Sequence, residues 1–296
     1  MKIYDCFMYY DEDLIIDLRF NILNKYITEF IIVESKFTHS GEKRELLFDI
    51  NKYSMFKKKI NYIVLENEPE NLETIYDKDT PDKKNSKYIM NALKRENFQR
   101  NAITKGLKEV NPDDLILISD VDEIPDLSNL NLESINDEII LFKQNFYYYK
   151  FNLKLEDLPW LGTKACKYKI LKSPQWLRNI KDKKYPFWRL DILFSDKKYS
   201  NIKFIENGGW HFSNMKSPAD IEKKMKTYLH HREYDINPLG EEKIKQIIKS
   251  KKSIYNLKAD MKSEKFDGTQ NLKPTDGNEL PNYIKENKKK YSNWIE

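Results

Sequence analysis

The residues best suited to chemistry are Asp120, Asp122 and Glu123, three carboxylates that follow the apolar run Leu115–Ile118 almost at once and precede Pro125. In extended chain, residues two apart leave the same face, so Asp120 and Asp122 are predicted to sit side by side. Like charges held that close repel unless a cation or a shared proton compensates. Hard carboxylate oxygens select Mg²⁺ or Mn²⁺, ions that usually complete their shells with water and substrate phosphate. An Asp-x-Asp that merely caps a turn is the competing reading. Pro125 argues against it by stopping the strand just past the acids, at a terminus where chemistry is commonly placed.

A second marker is Glu206–Ser213, where Gly208 and Gly209 let backbone approach closely and present His211 beside Trp210. Imidazole binds Mn²⁺, and the chain has only His39, His211, His230 and His231, so His211 is the expected third metal ligand. Aromatic runs at 146–149 and at Trp160 suit sugar rings as well as an apolar core, and Trp160, with Trp210, is the expected acceptor contact.

These groups need a scaffold. Ile3 to Tyr9 reads as a strand, Asp13 to Tyr26 as a helix with an apolar stripe, Phe30 to Val33 and Ile60 to Leu65 as further strands. Residues 66–87 read as an exposed loop, and Tyr88 to Val110 as a helix carrying Arg95, Gln99 and Arg100. Leu115 to Ile118 is a short apolar run of the kind buried on both faces, and ligands of open α/β sheets collect beyond the carboxyl ends of such strands. The order is that of a nucleotide-binding half-domain without Gly-x-Gly-x-x-Gly or a P-loop, so a dinucleotide cofactor is not expected. Ser217 starts another helix through about residue 232, with Ile221, Met225, Tyr228 and Leu229 inward, and residues 262–296 read as a loosely packed tail.

Composition sets outer limits. At 296 residues, 40% apolar and 33% charged, the chain can bury a large core. A net charge of +5 suits anionic substrates such as nucleotide phosphates and is too diffuse to argue for nucleic acid. Cys6 and Cys166 give neither a disulfide framework nor zinc spacing. Nothing approaches the roughly 18 consecutive apolar residues of a membrane span. A cytoplasmic enzyme without an integral membrane segment is the expectation.

Glu34-Ser35-Lys36-Phe37-Thr38 with Gly41 and Arg44, then Ser119 to Pro125, then Gly209-Trp210-His211, in that order, closely resemble glycosyltransferase family 17 from about residue 3 to about residue 235. That family includes the β-1,4-mannosyl-glycoprotein N-acetylglucosaminyltransferases. The resemblance implies a GT-A-like fold: one Rossmann-type α/β domain over 1–235, with a mixed central sheet flanked by helices, and a helical and irregular extension over 236–296. It implies a UDP-sugar donor, UDP-GlcNAc foremost, and inverting transfer to a glycan acceptor. Asp122 would bind the metal, Asp120 would bind it or hold the ribose, and His211 would close the shell. Arg44 and Arg100 would neutralise diphosphate charge and Glu34 would meet the uridine. For the base that takes the acceptor proton, Glu123, Asp191 and Glu206 are the candidates.

Two other classes use similar residues. A haloacid-dehalogenase-like phosphatase or phosphotransferase also ends an apolar strand in Asp-x-Asp with Mg²⁺, but its nucleophile strand comes first in the domain, whereas here 114 residues precede it. A non-catalytic carbohydrate-binding protein would use the aromatics for sugars and the acids for structural Ca²⁺, against which the long α/β pattern stands.

Overall fold

A computed structural model describes all residues except 129, 187–188, 190, 192–193, 229–230 and 256–269. The first half alternates strand and helix: β1 (Ile3–Met8), α1 (Asp13–Leu23), β2 (Glu29–Ser35), β3 (Ile60–Leu65), α2 (Pro81–Asn101) and β4 (Leu115–Asp120). After β4 come β5 (Glu123–Pro125), β6 (Ile139–Tyr148), the long β7 (Leu153–Lys167), α3 (Pro174–Asn179), β8 (Ile202–Ile205) and β9 (Gly209–Ser213). The chain closes with α4 (Pro218–Thr227), α5 (His231–Ile236), α6 (Glu241–Lys249), β10 (Lys273–Pro274) and α7 (Asn282–Glu286).

One mixed sheet of ten strands runs β3-β2-β1-β4-β7-β6-β9-β5, with β10 on β7 and β8 on β6. β3, β2, β1 and β4 are mutually parallel, β7 runs against both β4 and β6, and β9 lies parallel to β6. The parallel half is buried on both sides, as its unbroken apolar runs require. Ile3, Phe7, Leu115 and Leu117 face a layer shared with Phe20 of α1, while Tyr4, Cys6, Ile116 and Ile118 face a layer with Ala102, Ile103 and Leu177. Both cysteines are free and buried, and burial pushes both thiols up.

Parallel pairing brings the carboxyl ends of β1, β2 and β4 to one edge, where Met8 lies opposite both Val33 and Asp120. The loops that leave this edge, residues 9–12, 36–46 and 121–122, therefore share one side of the molecule.

α2 begins at Pro81, seven residues before the helix expected at Tyr88. Thr80 caps it by accepting the Lys83 N–H at 3.4 Å, and Pro81 takes the first helical position, where a missing N–H costs nothing. The expected loose tail is anchored over its described part. β10 pairs with β7, Leu280, Ile284 and Tyr291 are buried in the α1-side layer, and the Trp210 indole donates to the Glu279 carbonyl at 2.6 Å. Leu229, His230 and residues 262–269 of the sequence reading lie outside the described residues.

Candidate active site

A cavity of about 550 Å³ opens where the three parallel strands end. Its wall includes Arg44, Gln99 and Arg100 on one side, an aromatic group of Phe146, Tyr148 and Trp160, and both Asp120 and Asp122.

The acidic segment is not extended. β4 stops at Asp120, Val121 and Asp122 form a turn, and β5 starts at Glu123. Arg19 of α1 holds that turn from beneath. It is fully buried, pairs with Asp5 at 2.5 Å, and donates to Ser119 Oγ at 3.0 Å and to the carbonyls of Asp120, Val121 and Glu123 at 3.3, 3.1 and 2.7 Å. A planar guanidinium can serve a carboxylate and several carbonyls at once, which a lysine cannot. The turn breaks the strand alternation, so Asp120 and Asp122 do not share a strand face as expected, and they take different partners.

Asp120 accepts from Arg100 at 2.9 Å and from Arg178 at 3.1 Å, one arginine on each oxygen. Crowding by protein pushes its carboxyl up, but Arg178 and Arg100 outweigh that and hold it well below the usual carboxylate range. Its side chain stays 41% exposed to the cavity.

Glu123 corrects the first expectation for the base. Because the chain turns, its carboxylate reaches back: Oε2 accepts the Asp120 N–H at 2.8 Å and Arg178 at 2.8 Å, and Oε1 accepts the Trp160 indole at 2.7 Å and Arg178 at 3.1 Å. It is fully buried and does not line the cavity. Arg178 also donates to the Gly162 carbonyl. Glu123 is thus a clamp that fixes Arg178, Trp160 and the turn, with no lone pair directed at a substrate.

Asp122 turns instead to His211. β9 pairs with β5 so that His211 lies opposite Glu123, and with β6 so that it lies beside Phe146. The imidazole stacks on Phe146 and Trp160, with ring centroids at 4.2 and 4.8 Å, and its Nε2 is 3.5 Å from Asp122 Oδ1. Burial pushes the Asp122 carboxyl up, and His211 more than offsets this, leaving it low. Gly209 permits the pairing: at φ +126° an added Cβ would stand 2.6 Å from the Asp126 nitrogen.

Among the described residues, no three carboxylate, imidazole or thiol groups converge as metal ligands, because arginines occupy Asp120. Asp122 and His211 do converge. One hard carboxylate and one imidazole nitrogen on a cavity wall fit the protein half of a Mg²⁺ or Mn²⁺ shell, the other positions being left for water and phosphate oxygens.

The remaining expectations divide. Trp160, the expected acceptor contact, lines the cavity in the same aromatic stack as His211. Trp210 points to the opposite face, into the core, so it is not placed to touch an acceptor at this cavity. Glu34 is fully buried and accepts from Arg44, Tyr62 and the Leu47 and Phe48 N–H groups, which fixes the loop after β2 rather than meeting a ligand. Arg44 reaches the cavity stacked on Tyr10, 4.2 Å from the ring centroid, with its charge matched by Glu34. Arg100 also lines it, committed to Glu96, Gln175 and Asp120. Asp191 is held low by Arg189 and Lys198, and Glu206 pairs with Lys143 at the surface; neither lines the cavity.

Four residues at the site carried no signal in the sequence reading. Arg19 and Arg178 act on the turn from 101 and 58 positions away. Lys224 of α4 lines the cavity with no carboxylate partner among the described residues, its Nζ lying 3.4 Å from Asn214 Oδ1. Glu12 lines it too; its Oε2 accepts the Tyr10 and Asp11 N–H groups at 3.0 Å each, and its Oε1 accepts none among the described residues.

No curated protein matches the chain. A family model does, over residues 1–295, essentially from end to end, and it spans every strand and loop that builds this cavity. The chain belongs to glycosyltransferase family 17 and is a glycosyl-transferring enzyme.

Proposed function

We propose that the protein transfers a sugar, GlcNAc foremost, from a UDP-sugar to a glycan hydroxyl with inversion, in a reaction that depends on Mn²⁺ or Mg²⁺. The observation that carries this reading is the Asp122–His211 pair on the wall of a cavity that also holds cationic and aromatic groups. Family membership supports glycosyl transfer; the UDP donor, the sugar and the metal are our reading of the site.

In such a transfer the acceptor oxygen bonds to the anomeric carbon as the bond from that carbon to the β-phosphate oxygen breaks, and the electron pair leaves with the diphosphate. Negative charge grows on the leaving oxygens and oxocarbenium character on the sugar. Asp122 and His211 would hold the divalent cation, which would supply positive charge against the departing diphosphate. Lys224 adds a positive charge that faces Glu12 and Asp122 without a direct ion pair to either among the described residues. Asp120, locked by two arginines, presents the edge of its carboxylate as a fixed acceptor for donor hydroxyls. Phe146, Tyr148 and Trp160 give the sugar an apolar face to lie on. The acceptor proton passes to Glu12, a carboxylate on the cavity wall with a free oxygen.

The test is binding of UDP, with and without Mn²⁺, to the wild-type protein and to Asp122→Asn, together with UDP release from a panel of nucleotide sugars. Expected are Mn²⁺-dependent UDP binding by the wild type, and turnover lower by about 10²-fold or more in the variant. Equal metal-dependent turnover in the two would remove Asp122 from its role. Wild-type protein that binds no uridine diphosphate compound under any cation would end the donor reading.

A further inference from the structure

A second cavity, of about 680 Å³, meets the first at Glu12, Asp122 and Lys224, which line both. Its own wall comes from the start of α1, the turn after β6, the loop after β9, α4, α6 and residues 293–294, including Lys150, Asn214, Lys223 and Trp294. We propose that this cavity is the acceptor site and that it takes a glycan bearing an anionic group, a phosphate or a carboxylate. The inference rests on the donor reading of the first cavity.

Position comes first. With the leaving group at Asp122 and the proton acceptor at Glu12, an acceptor hydroxyl must arrive where those two residues are both within reach. The second cavity is bordered by both, and it opens away from the cationic wall of Arg44 and Arg100, neither of which lines it.

Chemistry comes second. Asn214 is 2% exposed, and its Nδ2 is buried without a hydrogen-bond partner. A buried amide donor left unpaired costs about 1–3 kcal/mol, so such groups ordinarily await an acceptor. Asn214 is held at φ +55°, which asparagine tolerates better than most residues.

Charge comes third. Five carboxylates line the cavity, and each already has a donor. Asp11 pairs with Lys216, Asp13 holds Lys52 and two tyrosines, Asp122 faces His211, Asp220 takes the Ser217 hydroxyl, and Glu12 takes two backbone N–H groups. Among the described residues Lys150 and Lys223 have no carboxylate partner, and Lys150 donates only to the Asn293 carbonyl, at 2.6 Å. Lys224 at the junction already acts on Glu12 and Asp122, so Lys150, Lys223 and the Asn214 amide are the donors left for an anion. Trp294, half-buried, adds a flat apolar wall of the kind sugar rings stack on.

The experiment is a saturation-transfer NMR titration of the full chain with mannose, mannose 6-phosphate and glucuronic acid, each with and without UDP and Mn²⁺. Its first expected result is binding of at least one anionic sugar about tenfold or more tighter than mannose at low salt, the scale of one charge-assisted hydrogen bond. The phosphate and carboxylate arms say which anion is preferred. In Lys150→Gln/Lys223→Gln the advantage is expected to vanish while UDP affinity holds, and in Asn214→Asp, which keeps the backbone preference and places a negative charge beside Lys224, the advantage is expected to vanish as well. Equal binding of all three sugars, binding of none, or an advantage that survives both variants would overturn the proposal. An anionic preference in protein that fails to bind UDP would instead sink the donor reading and leave this cavity an anionic-glycan site.

Discussion

At the scale of single residues, the carboxylate expected from sequence to act as base and the one that the structure leaves free on the cavity wall are different residues. Glu123 stands next to the predicted metal ligands in sequence, yet its oxygens are spent on Arg178, Trp160 and a backbone N–H. Glu12 is far away in sequence and has an oxygen to spare on the cavity wall. Their glutamine variants are therefore expected to fail differently. Glu12→Gln keeps an oxygen for the Tyr10 and Asp11 N–H groups, so stability and UDP affinity hold while kcat falls about 10²- to 10⁴-fold, the usual worth of a general base. Burial raises the Glu12 carboxyl above its ordinary 4.5, with Lys216 pulling it down and Asp11 pushing it up. A base must be ionised to act, so activity should fall with decreasing pH at a pH above that of an ordinary glutamate, and that limb should disappear in the variant. Glu123→Gln leaves Arg178 with half its compensation and should cost on the order of 3 kcal/mol in urea denaturation, since breaking a buried pair strands a charge. Stability differing by less than 1 kcal/mol, or unchanged kcat in Glu12→Gln, would reverse the two assignments. Asp120 and Asp122 contribute to stability toward acid: both carboxyls are lowered, so their contribution is complete above the ordinary carboxylate pKa and is lost as pH falls through the depressed ones.

At the scale of elements, what could be read in advance was what local pattern determines. The strand Ile60–Leu65 begins and ends where its apolar run does, β1 differs from the expected Ile3 to Tyr9 by one residue, and the acids do lie at the end of β4. The start of α2 was legible in Thr80-Pro81, but the surrounding polar residues obscured it. What sequence could not convey was pairing at a distance. Nothing local says that β9 will lie between β5 and β6, which carries His211 to Asp122 and turns Trp210 into the core, or that Arg178 will leave α3 for the acidic turn. Asp120 and Asp122 do not share a face as strand alternation predicts, because a two-residue turn, held by a buried arginine, replaces extended chain. Gly162 of β7 makes that dependence testable. A Cβ there would stand 2.6 Å from Glu123 Cδ and 2.7 Å from Trp160 Cδ1, with the Gln144 side chain closer still. Gly162→Ala should cost about 1–3 kcal/mol, as overpacking does, and should lower kcat by moving Trp160 and the Glu123–Arg178 clamp, though position 162 touches no substrate. Wild-type turnover and melting temperature in this variant would show that the clamp has slack.

At the scale of the whole molecule, the last stretch of chain closes the structure on itself and lines the second cavity through Asn293 and Trp294. β10 adds to the edge of β7, the Glu279 carbonyl takes the Trp210 indole, and Leu280, Ile284 and Tyr291 fill the layer under α1. Tyr291 meets Phe151 edge-on at 5.4 Å, and Phe151 meets Phe212 in the same way at 5.0 Å, so the terminal segment supports the strand that presents His211. Burial of three such side chains is worth about 1.5–3 kcal/mol each, or about 4.5–9 kcal/mol together. A whole domain keeps only about 5–15 kcal/mol of net stability, so the segment's share is of the same order as the total. A chain ending at residue 269 should therefore lose cooperative unfolding in urea and its near-ultraviolet dichroism. It should also lose UDP binding, because β9 would have no floor. The same loss of binding with native unfolding behaviour would mean that the segment touches the ligand and does not hold the sheet. A truncated chain that unfolds cooperatively within 1 kcal/mol of the full one and binds UDP would show that the layer beneath α1 is complete without it.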